Sequence, residues 1–150
     1  MKIAVGSDMK NHVTDAVVAD LRQRGHQVEV FGALIETSVM WPKVALEVAE
    51  QVADGTFEQA VLFCWTGTGI SLAANKVKGI RAALCQDAET ARGARKWNDA
   101  NVLAMSLRVM SEAIAKEILD AWFASSPSTE EEDAACLAFL AEAEEKYRAS

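Results

Sequence analysis

Short apolar runs alternate along this chain with longer segments in which apolar residues recur at helical spacing. The run QAVLFC, residues 59–64, is apolar enough for a strand that is covered on both faces. Residues 12–25, in contrast, place Val13, Val17 and Leu21 four residues apart and end at a glycine, which is typical of an amphipathic helix. The repeated order of strand and helix predicts an α/β fold with three layers around a parallel sheet.

The same pattern extends over most of the chain. Further strands are predicted at residues 2–8, 27–32, 80–85 and 101–106, and further helices at 44–55, 69–79, 88–99 and 111–125, with a loop around Trp41-Pro42. A Ser/Pro stretch then leads into an acidic helix over 129–150, with a narrow apolar stripe at Leu137, Leu140 and Ala141. We expect residues 1–124 to form the α/β domain, and 125–150 a loop and helix that pack on it or on a partner subunit.

Composition excludes several classes of protein. A length of 150 residues favours one domain, and a net charge of −7 without a basic run argues against a nucleic-acid partner. The chain has three cysteines, Cys64, Cys85 and Cys136. Their spacing is not that of a zinc site, and their odd number argues against a disulfide framework. The first residues lack a signal-peptide pattern and no apolar run is long enough for a membrane helix, so we expect a cytoplasmic protein with no membrane partner.

Polar residues follow the predicted strands. Ligands in open α/β sheets bind beyond the carboxyl ends of the strands, where this chain carries Asp8, Cys64, Cys85 or Asp87, and Ser106. Asp8 has two interpretations: it binds substrate hydroxyl groups, or it caps the following helix.

The segment LFCWTGTGISLAANK, residues 62–76, joins a strand to a helix through two glycines. Gly67 and Gly69 allow the backbone to turn sharply and to approach a ligand closely. Free N–H groups at the helix start would stabilise an oxygen that gains negative charge, and the same field favours the thiolate of Cys64. This arrangement suits removal of a proton next to a carbonyl, or nucleophilic attack. The alternative is a purely structural turn beside a buried cysteine.

A second polar segment, KWNDANVLA, covers residues 96–104. Asn98, Asp99 and Asn101 are turn-forming residues ahead of a strand, and this is the structural interpretation. The functional interpretation is that these amides and acids line a site for a polyol.

Several segments together resemble the family of ribose-5-phosphate isomerase B and galactose-6-phosphate isomerase. They are GSDMKN, CWTGTGISLAANK with the following VKGIRAALC, RKWNDANVLA, and EILDAWF. The resemblance runs from residue 1 to about residue 123. It implies a Rossmann-like three-layer α/β/α sandwich, dimers or tetramers with active sites shared between subunits, and interconversion of aldose and ketose phosphates without metal or organic cofactor.

The resemblance also implies a role for individual residues. Cys64 matches the base that moves a proton between C1 and C2 through a cis-enediolate, and Thr66 matches a threonine that supports this step. The backbone from Trp65 to Ser71 would hold the enediolate oxygen. The implied substrate-binding residues are Asp8, Met9, Trp41, Trp65, Gly67, Thr68, Gly69, Ser71, Trp97, Asn98 and Arg108.

The departures from the family pattern cluster at the same site. Met9 and Trp97 stand where the family has histidines, and the family histidine at the second position opens the sugar ring. Trp41 stands in place of a tyrosine, and Trp65 in place of a glycine. Because tryptophan cannot act as an acid or base here, a short or open-chain substrate such as a tetrose phosphate is predicted.

The family's two C-terminal phosphate-binding arginines fall on Glu131 and Ala135. Other candidates for binding a phosphate are Lys10, Lys43, Arg92, Arg95 and Arg108. The acidic residues of the last helix form a solvated face, or Glu131 or Glu132 enters a neighbouring subunit's site.

Three functions are compatible with these residues: an aldose–ketose isomerase with altered substrate range, a non-catalytic sugar or sugar-phosphate binding protein, and the partner subunit of a two-chain enzyme. The isomerase is favoured because a binding protein has no need for a thiol beside the glycine loop, where oxidation is a risk.

Overall fold

The computed structural model describes residues 1–35 and 38–148. Its five strands form one sheet in the order β2-β1-β3-β5-β4, with every neighbouring pair parallel. The strands are β1 Lys2–Ser7, β2 Gln27–Gly32, β3 Gln59–Cys64, β4 Ala82–Leu84 and β5 Val102–Ser106. This confirms the predicted α/β class with a parallel sheet.

The helices are α1 His12–Gln23, α2 Trp41–Ala53, α3 Thr68–Ala74, α4 Ala88–Asn98, α5 Glu112–Phe123 and α6 Glu131–Arg148. Side chains of α1, α4 and α5 share one apolar core, and those of α2 and α3 share another. Central strand β3 divides its residues between them, because successive side chains of a strand point to opposite faces. Val61 and Phe63 join the first core, and Leu62 and Cys64 join the second, so the thiol lies on the face covered by α2 and α3.

Two predicted boundaries were wrong near α2 and β4. Trp41 and Pro42 do not form a loop but lie in the first turn of α2, where proline fits because its missing N–H needs no partner and its φ is helical. Strand β4 is shorter than predicted because the Arg81 N–H donates to the Asn101 side chain instead of to a strand.

Helix α3 also ends early, at Ala74 rather than near residue 79. The side chain of Asn75 explains the end, because it both donates to and accepts from the backbone of Ala82, at 2.9 and 2.8 Å. The chain therefore turns here and starts β4.

Helix α6 is attached to the rest of the chain through its second half. The Glu144 carboxylate accepts the Gly79 N–H at 3.1 Å, Arg148 donates to the Asn75 carbonyl at 2.6 Å, and Lys78 pairs with Glu145. A groove of about 620 Å³ separates the predicted apolar stripe of α6 from β4 and the end of α4. Residues 149 and 150 of the predicted helix lie outside the described residues.

Within the described part of the chain, none of the helices combines the length and the apolar character needed to cross a bilayer.

Candidate functional site

Asp8, Cys64 and Ser106 meet at the carboxyl edge of the sheet. Ser7 pairs with Phe63 between β1 and β3, so that Asp8 follows directly beside Cys64. On the other side of β3, Cys64 itself pairs with Ser106. Since neighbouring strands lie about 4.8 Å apart, the three side chains belong to one site at the centre of the sheet.

The thiol of Cys64 is buried and held in one direction. Its side chain is only 5% exposed, and Sγ accepts a hydrogen bond from the Gly67 N–H at 3.2 Å. The Cys64 carbonyl accepts the Leu107 N–H at 3.0 Å, which ties the strand end to the segment after β5. The sulfur is therefore positioned by backbone groups on both sides.

The loop after Cys64 is fixed by close packing. The Trp65 carbonyl accepts hydrogen bonds from the Arg108 N–H at 2.9 Å and from the Ser106 hydroxyl at 3.0 Å. Gly67 has a φ of +78°, and a Cβ at this position would lie 2.5 Å from Leu84 Cδ1. Only glycine therefore fits the turn that brings its N–H to the sulfur.

Ser106 is one of the strand-end residues noted in the sequence, but it is not among the substrate-binding residues that the resemblance implies. Its hydroxyl is buried and holds the Trp65 carbonyl. The sequence feature that indicates this residue is a small polar side chain at the end of a strand whose other residues are apolar and buried.

Hydroxyl groups line the mouth of the site. Thr66 Oγ1 and Thr68 Oγ1 are hydrogen-bonded at 2.8 Å, and both residues are exposed. The Ser71 hydroxyl donates to the Thr68 carbonyl at 3.0 Å. Helix α3 has only 7 residues, so its dipole is weak. Individual hydrogen-bond donors in this segment therefore contribute more to binding a negative oxygen than the helix dipole expected from the sequence.

Large apolar side chains form the rim. The Trp41 indole packs against Gly69, where an added Cβ would lie 3.2 Å from three ring atoms. Trp65 is 52% exposed beside the buried thiol, and Met9 is also exposed. Exposed apolar residues grouped around a polar centre are typical of a surface that a ligand or partner covers.

Asp8 does not cap helix α1. Asn11 has that task, since its side chain accepts the N–H groups of Val13 and Thr14 at 2.9 and 3.1 Å. Asp8 Oδ1 is buried and has no hydrogen-bond partner in the described residues. Burial raises the pKa of this carboxyl, against the smaller opposing effect of its own backbone N–H. Of the two interpretations, the structure therefore rules out the cap.

Trp97 and Asn98 lie at the opposite edge of the sheet. Helix α4 begins at the carboxyl edge, after β4, and returns so that its last residues precede β5. The turn that follows reaches Asn101, whose carbonyl accepts the Ala60 N–H near the start of β3. One chain therefore does not bring Trp97 and Asn98 to Cys64. Asn98 is also the last residue of a helix and not part of the predicted turn.

The candidate phosphate-binding cations differ in their surroundings. Lys10 and Arg92 each pair with a nearby carboxylate, and Arg95 is bound to the turn after its own helix. Lys43 and Arg108 are exposed and form no ion pair within residues 1–35 and 38–148. Of these two, Arg108 is linked to the site through its backbone hydrogen bond to Trp65.

The other strand-end candidates have structural surroundings. Burial, with a smaller effect of the nearby Asp87 carboxylate, raises the pKa of Cys85 to about 12, so its thiol stays neutral. Asp87 caps α4 by accepting the Thr90 N–H at 2.7 Å. In the portion of the chain that the structure covers, no three His, Cys, Asp or Glu side chains are grouped so as to hold a metal ion.

Comparison with known proteins agrees with this architecture. A family model described as Ribose/Galactose Isomerase matches residues 3–137. Ribose-5-phosphate isomerase B of Escherichia coli is 42% identical over 81% of this chain and 82% of its own length. D-erythrulose-4-phosphate isomerase of Pectobacterium atrosepticum is 39% identical over 81% and 82%.

The solved structure of Clostridium thermocellum ribose-5-phosphate isomerase B superposes with a TM-score of 0.91 at 39% identity, covering 98% of this chain and 99% of that one. The sequence matches and the structural superposition thus indicate the same family over most of the chain. The chain belongs to the ribose/galactose isomerase family of sugar phosphate isomerases.

Proposed function

We propose that this aldose–ketose isomerase uses Cys64 as its catalytic base. Cys64 moves a proton between C1 and C2 of the sugar, one of which bears the carbonyl group. The observation that supports this most is the buried Sγ held by the Gly67 N–H, beside a carboxyl oxygen of Asp8 that has no hydrogen-bond partner among residues 1–35 and 38–148. A thiol and a carboxyl side by side at the carboxyl edge are the groups that proton transfer requires.

The proposed step starts from a ketose with the Cys64 thiolate. Sulfur takes a proton from C1, the electron pair of that C–H bond forms the C1–C2 double bond, and the carbonyl oxygen becomes negative. A hydroxyl proton passes from the oxygen on C1 to the oxygen on C2, the thiol returns its proton to C2, and the carbonyl forms again at C1. Hydroxyl and backbone N–H groups from Thr66 to Ser71 would stabilise the negative oxygen, as in an oxyanion hole.

A four-carbon substrate fits the composition of the site. The only histidines, His12 and His26, are bound elsewhere, to Glu112 and to the N-terminal amine. Without a histidine the site lacks the usual group for opening a sugar ring, and a tetrose 4-phosphate cannot close a furanose ring through its phosphorylated carbon. The Pectobacterium relative carries the name of such an activity. Trp65 and Trp41 at the rim leave less room for a longer chain.

The substrate preference is tested by measuring kcat/KM with four-, five- and six-carbon ketose and aldose phosphates. The proposal expects the highest value for the four-carbon pair. Trp65→Gly, which restores the family residue, should raise the value for five-carbon substrates relative to the four-carbon pair. Leu72→Ala, an exposed apolar residue outside the proposed set, is the control and should leave the ratio unchanged. A wild-type preference for ribose 5-phosphate would contradict the proposal.

A second copy of the chain would complete the site. Trp97 is 49% exposed at the amino edge, whereas the thiol is at the carboxyl edge, so an isologous pair of chains is needed for Trp97 and Asn98 to reach Cys64. The apolar rim around the thiol is the surface such a partner would cover. Dilution tests this directly: specific activity should fall together with the oligomer fraction in analytical ultracentrifugation. Full activity of a monomer would contradict shared sites.

A further inference from the structure

Asp8 carries a carboxyl group whose placement no structural task explains. Its Oδ1 atom is buried and lacks a hydrogen-bond partner in the part of the chain that is described. It does not cap α1, which Asn11 does. Within residues 1–35 and 38–148 it forms no ion pair either, since the neighbouring Lys10 is bound by Asp15. A buried carboxyl oxygen without a partner costs stability, so such an atom is typical of a functional site.

The isomerisation needs a second proton transfer besides the one between carbons. When a ketose becomes an aldose, the oxygen on C2 must gain a proton and the oxygen on C1 must lose one. Cys64 is occupied with the carbon-bound proton. Neither histidine is available for the oxygens, because His12 is exposed and paired with Glu112, and His26 precedes β2 at the other edge of the sheet.

We propose that Asp8 moves the hydroxyl proton between the two oxygens of the enediolate, as a catalytic residue beyond the hydroxyl binding that the sequence suggests. The inference rests on the proposed role of Cys64, beside which the β1–β3 register places Asp8.

The atoms and charges balance within the site. The Cys64 thiolate removes the proton from C1, which leaves a thiol and an enediolate with its negative charge on O2. The Asp8 carboxylate then takes the hydroxyl proton from O1 and gives it to O2, so that the negative charge moves to O1. The thiol protonates C2, and the aldehyde forms at C1. Both side chains return to their starting states. Burial raises the pKa of Asp8, which makes its carboxylate a better acceptor for the hydroxyl proton.

The test separates exchange from conversion. A four-carbon ketose phosphate is incubated in D₂O with wild type or with the isosteric variant Asp8→Asn, and deuterium at C1 and formation of aldose are both followed by NMR. Exchange at C1 needs only Cys64, because the enediolate can be protonated again at the same carbon. Conversion also needs the transfer between oxygens. Asp8→Asn should therefore lower conversion by about 10²-fold or more and lower exchange much less.

The other outcomes each have a definite meaning. A loss of exchange and conversion by the same factor in Asp8→Asn, with both present in wild type, would overturn this inference and leave Asp8 as a binding residue. Absence of exchange in wild type would overturn the proposed role of Cys64 as well. Asp8→Ser, which keeps a small polar side chain, is the second variant, and circular dichroism checks that each variant is folded. The same change in the ratio of exchange to conversion is expected for Asp8→Ser.

Discussion

Replacing Gly67 by alanine tests whether the loop after Cys64 is as tightly fixed as the structure indicates. The new Cβ would lie 2.5 Å from Leu84 Cδ1 and 3.0 Å from backbone atoms of Met105 and Ser106. A left-handed backbone costs a non-glycine residue about 1–2 kcal/mol, and overpacking adds about 1–3 kcal/mol. The free energy of unfolding should therefore fall by about 2–5 kcal/mol.

The chain provides a matched control for this substitution. Gly25 and Gly55 also have positive φ, +91° and +85°, but an added Cβ there has no atom within 4 Å. Gly25→Ala and Gly55→Ala should therefore lose only the backbone contribution of about 1–2 kcal/mol. The difference between Gly67→Ala and the controls isolates the contacts with β4 and β5.

Urea denaturation measures the difference, and the slope of the transition should stay unchanged. In thermal unfolding, each kcal/mol corresponds to about 2–4 °C for a chain of this size, so Gly67→Ala should melt roughly 5–15 °C below wild type. If Gly67→Ala loses no more stability than Gly25→Ala, the loop does not pack against β4 and β5. That result would contradict the inference that this loop holds the Cys64 sulfur in a fixed position.

Three further predictions concern individual side chains. Asp8→Asn should raise the free energy of unfolding at pH 7, because the raised pKa of Asp8 means that its ionised carboxyl destabilises the folded state. This gain in stability should disappear as the pH falls below the ordinary pKa of 3.8. Urea titrations at several pH values measure both effects. Cys136, exposed on α6, should react with a thiol reagent in the native protein at pH 8, whereas Cys85 should react only after unfolding, and mass spectrometry of labelled peptides distinguishes the two. Trp122→Phe should lower the free energy of unfolding by about 1–3 kcal/mol, since it leaves the buried Gln59 oxygen, now 2.8 Å from the indole N–H, without a donor; an unchanged urea midpoint would contradict this.

Much of the fold follows from the spacing of apolar residues. The continuous run of β3 and the four-residue spacing in α1 each have one structural solution, and both elements occur where they were predicted. The start of α2 was missed because the pair Trp41-Pro42 fits both a loop and a first helical turn. Apolar periodicity does not distinguish these cases, since proline interrupts the pattern in both.

The candidate site was predictable only in part. Strand ends in a parallel sheet meet at one edge, so Asp8 and Cys64 could be placed together from the sequence. The position of Trp97 could not, because it depends on how far α4 returns across the sheet. That distance places the indole at the opposite edge, and only the three-dimensional structure shows that one chain leaves it far from the thiol.

The sequence alone also did not show that Asp8 has no capping role. Asp8 and Asn11 both precede α1, and either residue type is a good helix cap. The structure assigns the cap to Asn11 and leaves the carboxyl beside Cys64. Its buried oxygen is therefore a feature of the site and not of the helix.

The most direct test of the central claim is deuterium incorporation from D₂O next to the carbonyl of a four-carbon ketose phosphate, compared among wild type, Cys64→Ala and Cys85→Ala. Cys85 is the matched control, because it is also buried and directly follows another strand of the same sheet, but it joins the other core. The account predicts exchange in wild type and Cys85→Ala, and a loss of about 10²–10⁴-fold in Cys64→Ala. Exchange at the wild-type rate in folded Cys64→Ala would show that Cys64 is not the base.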